Sequence, residues 1–203
     1  MPPKAKITKE MILDAAFTIA REEGVDKITA RKISEKLGCS TQPVLYHYAT
    51  VDEIKRETYK VVDEYHTNYI MNNVFNMEND DENPLLMIGL NYIRFAREES
   101  NLFQFLFQSN ELCEQSMTEL MDAEELAPML LILQQELHMG EEDVKTIFSI
   151  LFIFVHGYAS LYANNSMGYN EKDVIAALNR VFVGTVCAIN QEKEEGYDDE
   201  KNI

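Results

Sequence analysis

TARKISEKLGCSTQPVLYHY, residues 29 to 48, is the stretch on which the fold turns. It reads as two short helices joined by a tight turn. Thr29 is placed to cap the first helix, and Ile33 and Leu37 give that helix one apolar face. Gly38 supplies the left-handed residue that ends it. Ser40-Thr41-Gln42 opens the second helix, and Pro43 is tolerated there because the first turn leaves its missing N–H without consequence. Small polar side chains at a helix start, with Tyr46 and His47 one turn later, suit the major groove of double-stranded DNA.

The charge pattern around this stretch fits such a surface. The 203-residue chain carries a formal charge of −17, which by itself speaks against a nucleic-acid partner. Residues 1 to 60, however, hold 11 Lys/Arg against 9 Asp/Glu, a net of +2, whereas residues 61 to 203 hold 7 against 26, a net of −19. Such asymmetry points to a nucleic-acid-facing end. An acidic protein with one less acidic stretch gives the same numbers, so charge alone leaves both open. The three cysteines, Cys39, Cys113 and Cys187, are far apart and form no Cys-x-x-Cys pair, so neither a disulfide framework nor a metal site is expected, and a reducing, cytoplasmic setting fits. The opening MPPKAKITKE has no apolar core and does not read as a signal peptide. The longest apolar run, Ile147 to Val155, is about half of what a bilayer span needs and reads as a buried helix.

Outward from the two short helices, the whole chain reads as all-α, with about nine helices. Thr8 to Glu23 forms a first helix whose apolar face is Ile12, Ala15, Ala16, Ile19 and Ala20, ended by Gly24. Thr50-Val51-Asp52-Glu53 is a capping box opening a long fourth helix that runs to about Phe75. Asn83 caps a fifth helix with Pro84 in its first position, ending near Glu98. Ser100 caps a short sixth through Phe107. A seventh lies between about Glu111 and His138, interrupted by Pro128. Glu141 to Asn164 and Asn170 to about Gln191 make two final long helices, followed by a frayed acidic tail. No catalytic motif or phosphate-cradling loop is present in the sequence, so no enzyme is expected. Residues 1–50 form the expected helix-turn-helix DNA-binding domain. Residues 51–203 form an expected larger helical domain for dimerisation, bridged by the fourth helix.

The last two helices are apolar on more than one side. Ile175, Leu178, Phe182 and Ile189 mark one face of the final helix; Val174, Ala177, Val181, Gly184 and Ala188 mark another. A helix apolar all round must be covered on both sides. A second copy of the chain is the expected cover, with Val174, Leu178, Val181, Phe182 and Thr185 at the homodimer interface; a fully internal core helix is the alternative.

This order of elements resembles the tetracycline-repressor (TetR) family of bacterial transcription regulators. The resemblance rests on residues 8 to 54: ILDAAFTIAREEGVDKITARKISEKLG, the turn after Gly38, and Tyr46-His47-Tyr48 before Thr50-Val51-Asp52-Glu53-Ile54. The rest matches only in helix order and length. It implies a dimeric, sequence-specific repressor that binds a palindromic or nearly palindromic operator and is released by a small-molecule effector. Two positions depart from the family pattern. Leu45 stands where an aromatic, most often Tyr, is usual, and Val51 where Lys often contacts a phosphate. Both changes remove backbone contacts, which supply much of the affinity and its salt dependence. Weaker or more salt-sensitive binding is expected, or compensation by Lys55, Tyr46, His47, Lys4 and Lys6. A dimer of this fold with weakened or lost DNA binding, acting on a ligand or protein, is the competing reading.

For DNA contact, Ser40, Thr41 and Gln42 lie at the reading end, where Gln pairs bidentately with adenine. Thr29, Arg31 and Lys32 start the second helix, where phosphate contact is expected. Pro43 and Val44 are candidates for apolar contact with a thymine methyl. For the effector, the resemblance implies a pocket that makes residues 51–203 a ligand-binding domain as well, and the candidate lining is His66, Tyr69, Ile70, Tyr92, Phe95, Phe103, Phe107, Met117, Met121, Phe152 and His156. Apolar walls with a few polar groups are usual for such a site, and ordinary core packing gives the same pattern. His66 follows Asp63 by three, a metal edge or a hydrogen-bonded pair; no metal or cofactor is expected.

Overall fold

The computed structural model describes residues 7–72, 74, 83–109, 126–165 and 168–200. Among them are nine α-helices and one 3-10 turn: α1 (Lys9–Glu23), the turn (Val25–Lys27), α2 (Ala30–Lys36), α3 (Thr41–His47), α4 (Val51–Met71), α5 (Pro84–Glu98), α6 (Ser100–Phe107), α7 (Ala127–Leu137), α8 (Glu141–Asn164) and α9 (Glu171–Glu200). The fold is all-α, as expected.

The helix starts follow the capping chemistry of the sequence. Thr8 accepts the Met11 N–H at 3.3 Å, Thr29 that of Lys32 at 3.2 Å and Thr50 that of Glu53 at 3.2 Å. Asn83 accepts the Leu85 N–H at 2.9 Å, with Pro84 in the first turn. The Glu53 carboxylate reaches back one residue further than in the usual box, accepting the Ala49 N–H at 2.9 Å. Gly38, at φ 64°, ends α2 in a Schellman turn: its N–H donates to Glu35 O, and Cys39 N–H donates to Ser34 O.

Three boundaries differ from expectation. Glu99, not Ser100, holds the N-cap position of α6; no capping bond forms there, because the Glu99 carboxylate is engaged elsewhere. α4 stops at Met71, with Asn72 at its C-cap, short of the expected end near Phe75, and Pro128 lies in the first turn of α7. The last helix continues to Glu200, through a run of Glu and Lys with good helix propensity. The part of the seventh-helix prediction over residues 110–125 falls outside the described residues.

One hydrophobic cluster runs from Ile12 and Ile19 on α1, through Ile33, Val44 and Tyr48, into Ile54 and Val62 on α4, and on to Phe95, Phe103, Val155 and Leu178. α5 is the hub, packed on α4, α8 and α9. Gly89 lets α5 approach α8 closely: a Cβ there would stand 3.1 Å from Val155 Cγ2. A second cluster joins α7, α8 and α9 through Leu130, Leu133, Ile147, Leu151 and Ile189.

The outward faces of α8 and α9 correct the expected interface. Val174 and Leu178 are buried inside the chain, where they meet α5 and α8, and cannot present themselves to a second copy. Val181 and Phe182 are half-buried against the α7–α8 cluster, and the half-buried Thr185 turns its hydroxyl onto Val181 O. The residues facing outward are Ile150, Ile153 and Leu161 on α8 and Ile175 and Val183 on α9. By length and composition, Glu141–Asn164 and Glu171–Glu194 are also apolar enough to cross a bilayer, which the shorter run Ile147–Val155 did not suggest.

Candidate DNA-reading surface and buried aromatic cluster

α3 is fixed from its inner side. Val44 is fully buried, and Tyr48 closes the helix in the core. The Tyr48 hydroxyl donates to Glu57 at 2.6 Å, while Lys9 lies over its ring and 3.7 Å from the same carboxylate. Burial, then the bond to Glu57, pushes the Tyr48 ionisation up, so its hydroxyl stays a donor. Val44 therefore cannot touch a thymine, which corrects that expectation; Pro43 is half-buried.

The outer side carries Thr41, Gln42, Leu45 and Tyr46, all exposed, beside exposed Ser40, which forms no capping bond. Tyr46 is 84% exposed and Leu45 50%. His47 is not part of this surface: its Nε2 meets the Ile7 carbonyl at 2.9 Å, tying the start of α1 to the end of α3. Lys55 also stands apart, lining a cleft of about 620 Å³ with Lys27, Asn101, Gln104 and Phe105 between the 3-10 turn and α6. Lys4 and Lys6 fall outside the described residues.

The cations of α2 already have carboxylate partners. Arg31 donates to Glu35 at 2.8 Å, Lys32 to Glu23, and Lys36 to Glu22 at 3.2 Å. The bond from Lys32 holds the Glu23 carboxyl below its ordinary range. Thr29 spends its hydroxyl on the cap while remaining exposed.

Within the body, most of the aromatic residues expected at an effector site do meet. The ring of His66 packs edge-on against Tyr92, Phe95 and Phe107, at centroid distances of 5.3, 4.8 and 5.3 Å. Phe103 and Phe152 flank Tyr92, and His156 lies against Phe103, Phe107 and Phe152. The Tyr92 hydroxyl, its ionisation pushed up by burial, shares a hydrogen bond with His156 Nδ1 at 3.0 Å. Burial depresses His156 as well, favouring its neutral ring. Tyr69 packs on Phe95 but sends its hydroxyl outward to Glu98 at 2.6 Å. Met117 and Met121 lie outside the described residues. The adjoining cavity, lined by Gly89, Tyr92, Leu151, Phe152 and Leu178, measures only about 50 Å³, so the cluster is packed rather than hollow.

His66 differs from its neighbours. It is 6% exposed, its Nε2 has no hydrogen-bond partner, and burial lowers its pKa to about 4. The Asp63 pairing is not made at this nitrogen, and among the described residues no three side chains could hold a metal.

Sequence reading missed the junction between α1 and the body. The Arg21 Nε donates to Glu99 at 2.7 Å, and its Nη2 to the other carboxylate oxygen. The Tyr65 hydroxyl also donates to Glu99, at 3.2 Å, and Asn101 donates to the Arg21 carbonyl at 2.9 Å. Tyr65 packs on Phe95, so the junction touches the aromatic cluster directly.

Fold and surface together define an all-helical protein with a helix-turn-helix head. Over 42 residues, 21% of this chain, it is 43% identical to the tetracycline repressor protein class D of Escherichia coli, and equally to the class H protein of Photobacterium damsela subsp. piscicida. No family model matches the chain. The matched stretch spans about a fifth of the length of those relatives, 19%, and over that stretch the chain is similar to these tetracycline repressors.

Proposed function

We propose that this chain is a dimeric, sequence-specific DNA-binding transcriptional regulator of the cytoplasm: a repressor released from its operator by a small molecule. The observation that carries the reading is the outer face of α3, where Thr41, Gln42, Leu45 and Tyr46 stand exposed on a helix locked from behind by Val44 and Tyr48. Residues 1–50 are the DNA-binding domain and residues 51–203 the ligand-binding and dimerisation domain. Thr29, Arg31 and Lys32 take phosphates, with Ser40 to Gln42 at the bases. The second copy covers Ile150, Ile153, Leu161, Ile175 and Val183. A bilayer is the poorer cover, because Asn179 and Arg180 are exposed on the same helix and would be costly in hydrocarbon. The effector enters the His66 cluster, where an unpaired ring nitrogen sits among aromatic walls; entry displaces part of the present packing.

Selection from random duplex DNA with the full chain tests this. An enriched inverted repeat is expected, since a two-fold dimer presents two copies of α3. Ile153→Glu, at a site 60% exposed, should give a monomer by sedimentation and lose the repeat. The ion pairs of Arg31, Lys32 and Lys36 favour one second reading, a dimer of the same fold with weakened or lost DNA binding. Absence of any enriched sequence at low salt selects that reading.

A further inference from the structure

We propose that Leu45 reads the 5-methyl group of a thymine in the major groove, beside the base read by Gln42. The inference rests on the DNA-binding reading above and gives it a specificity-determining residue. Successive helical residues are turned by about 100°, so with Val44 and Tyr48 inward, Gln42, Leu45 and Tyr46 occupy neighbouring outward directions. Leu45 is half exposed although Val44 already supplies the inward contact of this turn. Among the described residues Leu45 keeps half of its surface open to the outer side of α3.

The chemistry of the groove selects one occupant. Base-pair edges there present donors, acceptors and one apolar group, the thymine methyl. A leucine has no hydrogen-bonding atom and can distinguish only the presence of that methyl. α3, TQPVLYH, has no acidic residue, so no carboxylate of its own opposes the approach to DNA. Gln42, one turn before Leu45, sets the register, because a bidentate amide–adenine pair fixes the depth of the helix in the groove.

The test replaces single thymines by deoxyuridine, which lacks only the methyl, in the operator enriched from random DNA by the full chain. At one thymine per half-site the native protein should lose about fourfold in affinity, the worth of one buried methyl-sized group. Leu45→Ala should bind thymine and deoxyuridine there equally, while discrimination at every other position is unchanged. Leu45→Met, which keeps an apolar tip, should retain part of the preference. No thymine–deoxyuridine difference with the native protein overturns the proposal and leaves the exposed Leu45 to a protein partner. A difference that survives intact in Leu45→Ala overturns it too, by assigning the methyl to another residue. Failure to enrich any sequence is a separate result: it removes the regulator reading itself and this inference with it.

Discussion

Glu99 and His66 are both nearly buried, both on the path between α1 and the aromatic cluster, and opposite in how they are satisfied. Glu99, 9% exposed, accepts from both ends of the Arg21 fork and from Tyr65. His66, 6% exposed, has an Nε2 that accepts from nothing and donates to nothing. An unmade hydrogen bond in the core costs more than a made one gains. The first site is therefore structural as it stands. The second carries a standing cost that the present packing does not relieve.

Removing a partner from each site separates the two. Arg21→Ala leaves the Glu99 carboxylate buried with only Tyr65 and should cost about 2–3 kcal/mol in urea unfolding, below the range for fully buried pairs because Arg21 is half exposed. Arg21→Lys should recover less than half, since a lone ammonium cannot grip both oxygens. A loss under 0.5 kcal/mol (roughly the worth of a surface pair) would make Glu99 an ordinary ion pair and erase the contrast.

Acid should act mainly on the second site. The folded state holds His66 near pKa 4 against about 6.5 unfolded, so the unfolded chain takes up the proton first. The contribution is full above pH 6.5 and fades as pH falls toward 4. Between pH 7.5 and 5.5 this removes about 1–2 kcal/mol of stability. His66→Phe should lack that component, and the difference between the two proteins cancels the general effect of pH on so acidic a chain. Parallel stability curves for both proteins would show that His66 is not the buried, neutral group described.

At pH 7.5 the same His66→Phe substitution removes an orphaned nitrogen from an aromatic nest, and should be neutral or stabilising by up to about 1 kcal/mol. A loss beyond 2 kcal/mol (about the low end for a core truncation) would mean that the imidazole already has its partner. Smallest of all, Tyr65→Phe should cost about 0.5 kcal/mol, because its 3.2 Å bond is the weakest of those on Glu99. An effect as large as that of Arg21→Ala would move the weight of the joint from α1 to α4.

Local signals made much of this legible in the sequence. Thr8, Thr29, Thr50 and Asn83 cap as their spacing requires, and Gly38 turns as its position requires, because capping depends on residues three apart. The aromatic cluster was also visible, as aromatics recurring at helical spacing on several helices. Long-range choices were not. Arg21 and Glu99 lie 78 residues apart, with nothing local to announce the pair. In α9 both faces are apolar, so periodicity could not tell that Val174 and Leu178 turn inward while Ile175 and Val183 turn outward. Nor could spacing alone tell that Val44 turns inward while its neighbour Leu45 turns outward. The tie from His47 to Ile7 was not legible, because the Ile7 carbonyl is backbone and leaves no trace in residue type.

Phe107 sits half-buried at the rim of the aromatic cluster, 5.3 Å from the ring of His66 and 5.5 Å from that of Tyr92. The chain contains no tryptophan among its 203 residues. Phe107→Trp would therefore install a single indole emitter facing the imidazole of His66, whose Nε2 has no hydrogen-bond partner. Its fluorescence becomes an optical gauge of the cluster, reporting dryness by its emission maximum and protonation of the neighbouring ring by quenching, in the intact protein and without any labelled ligand.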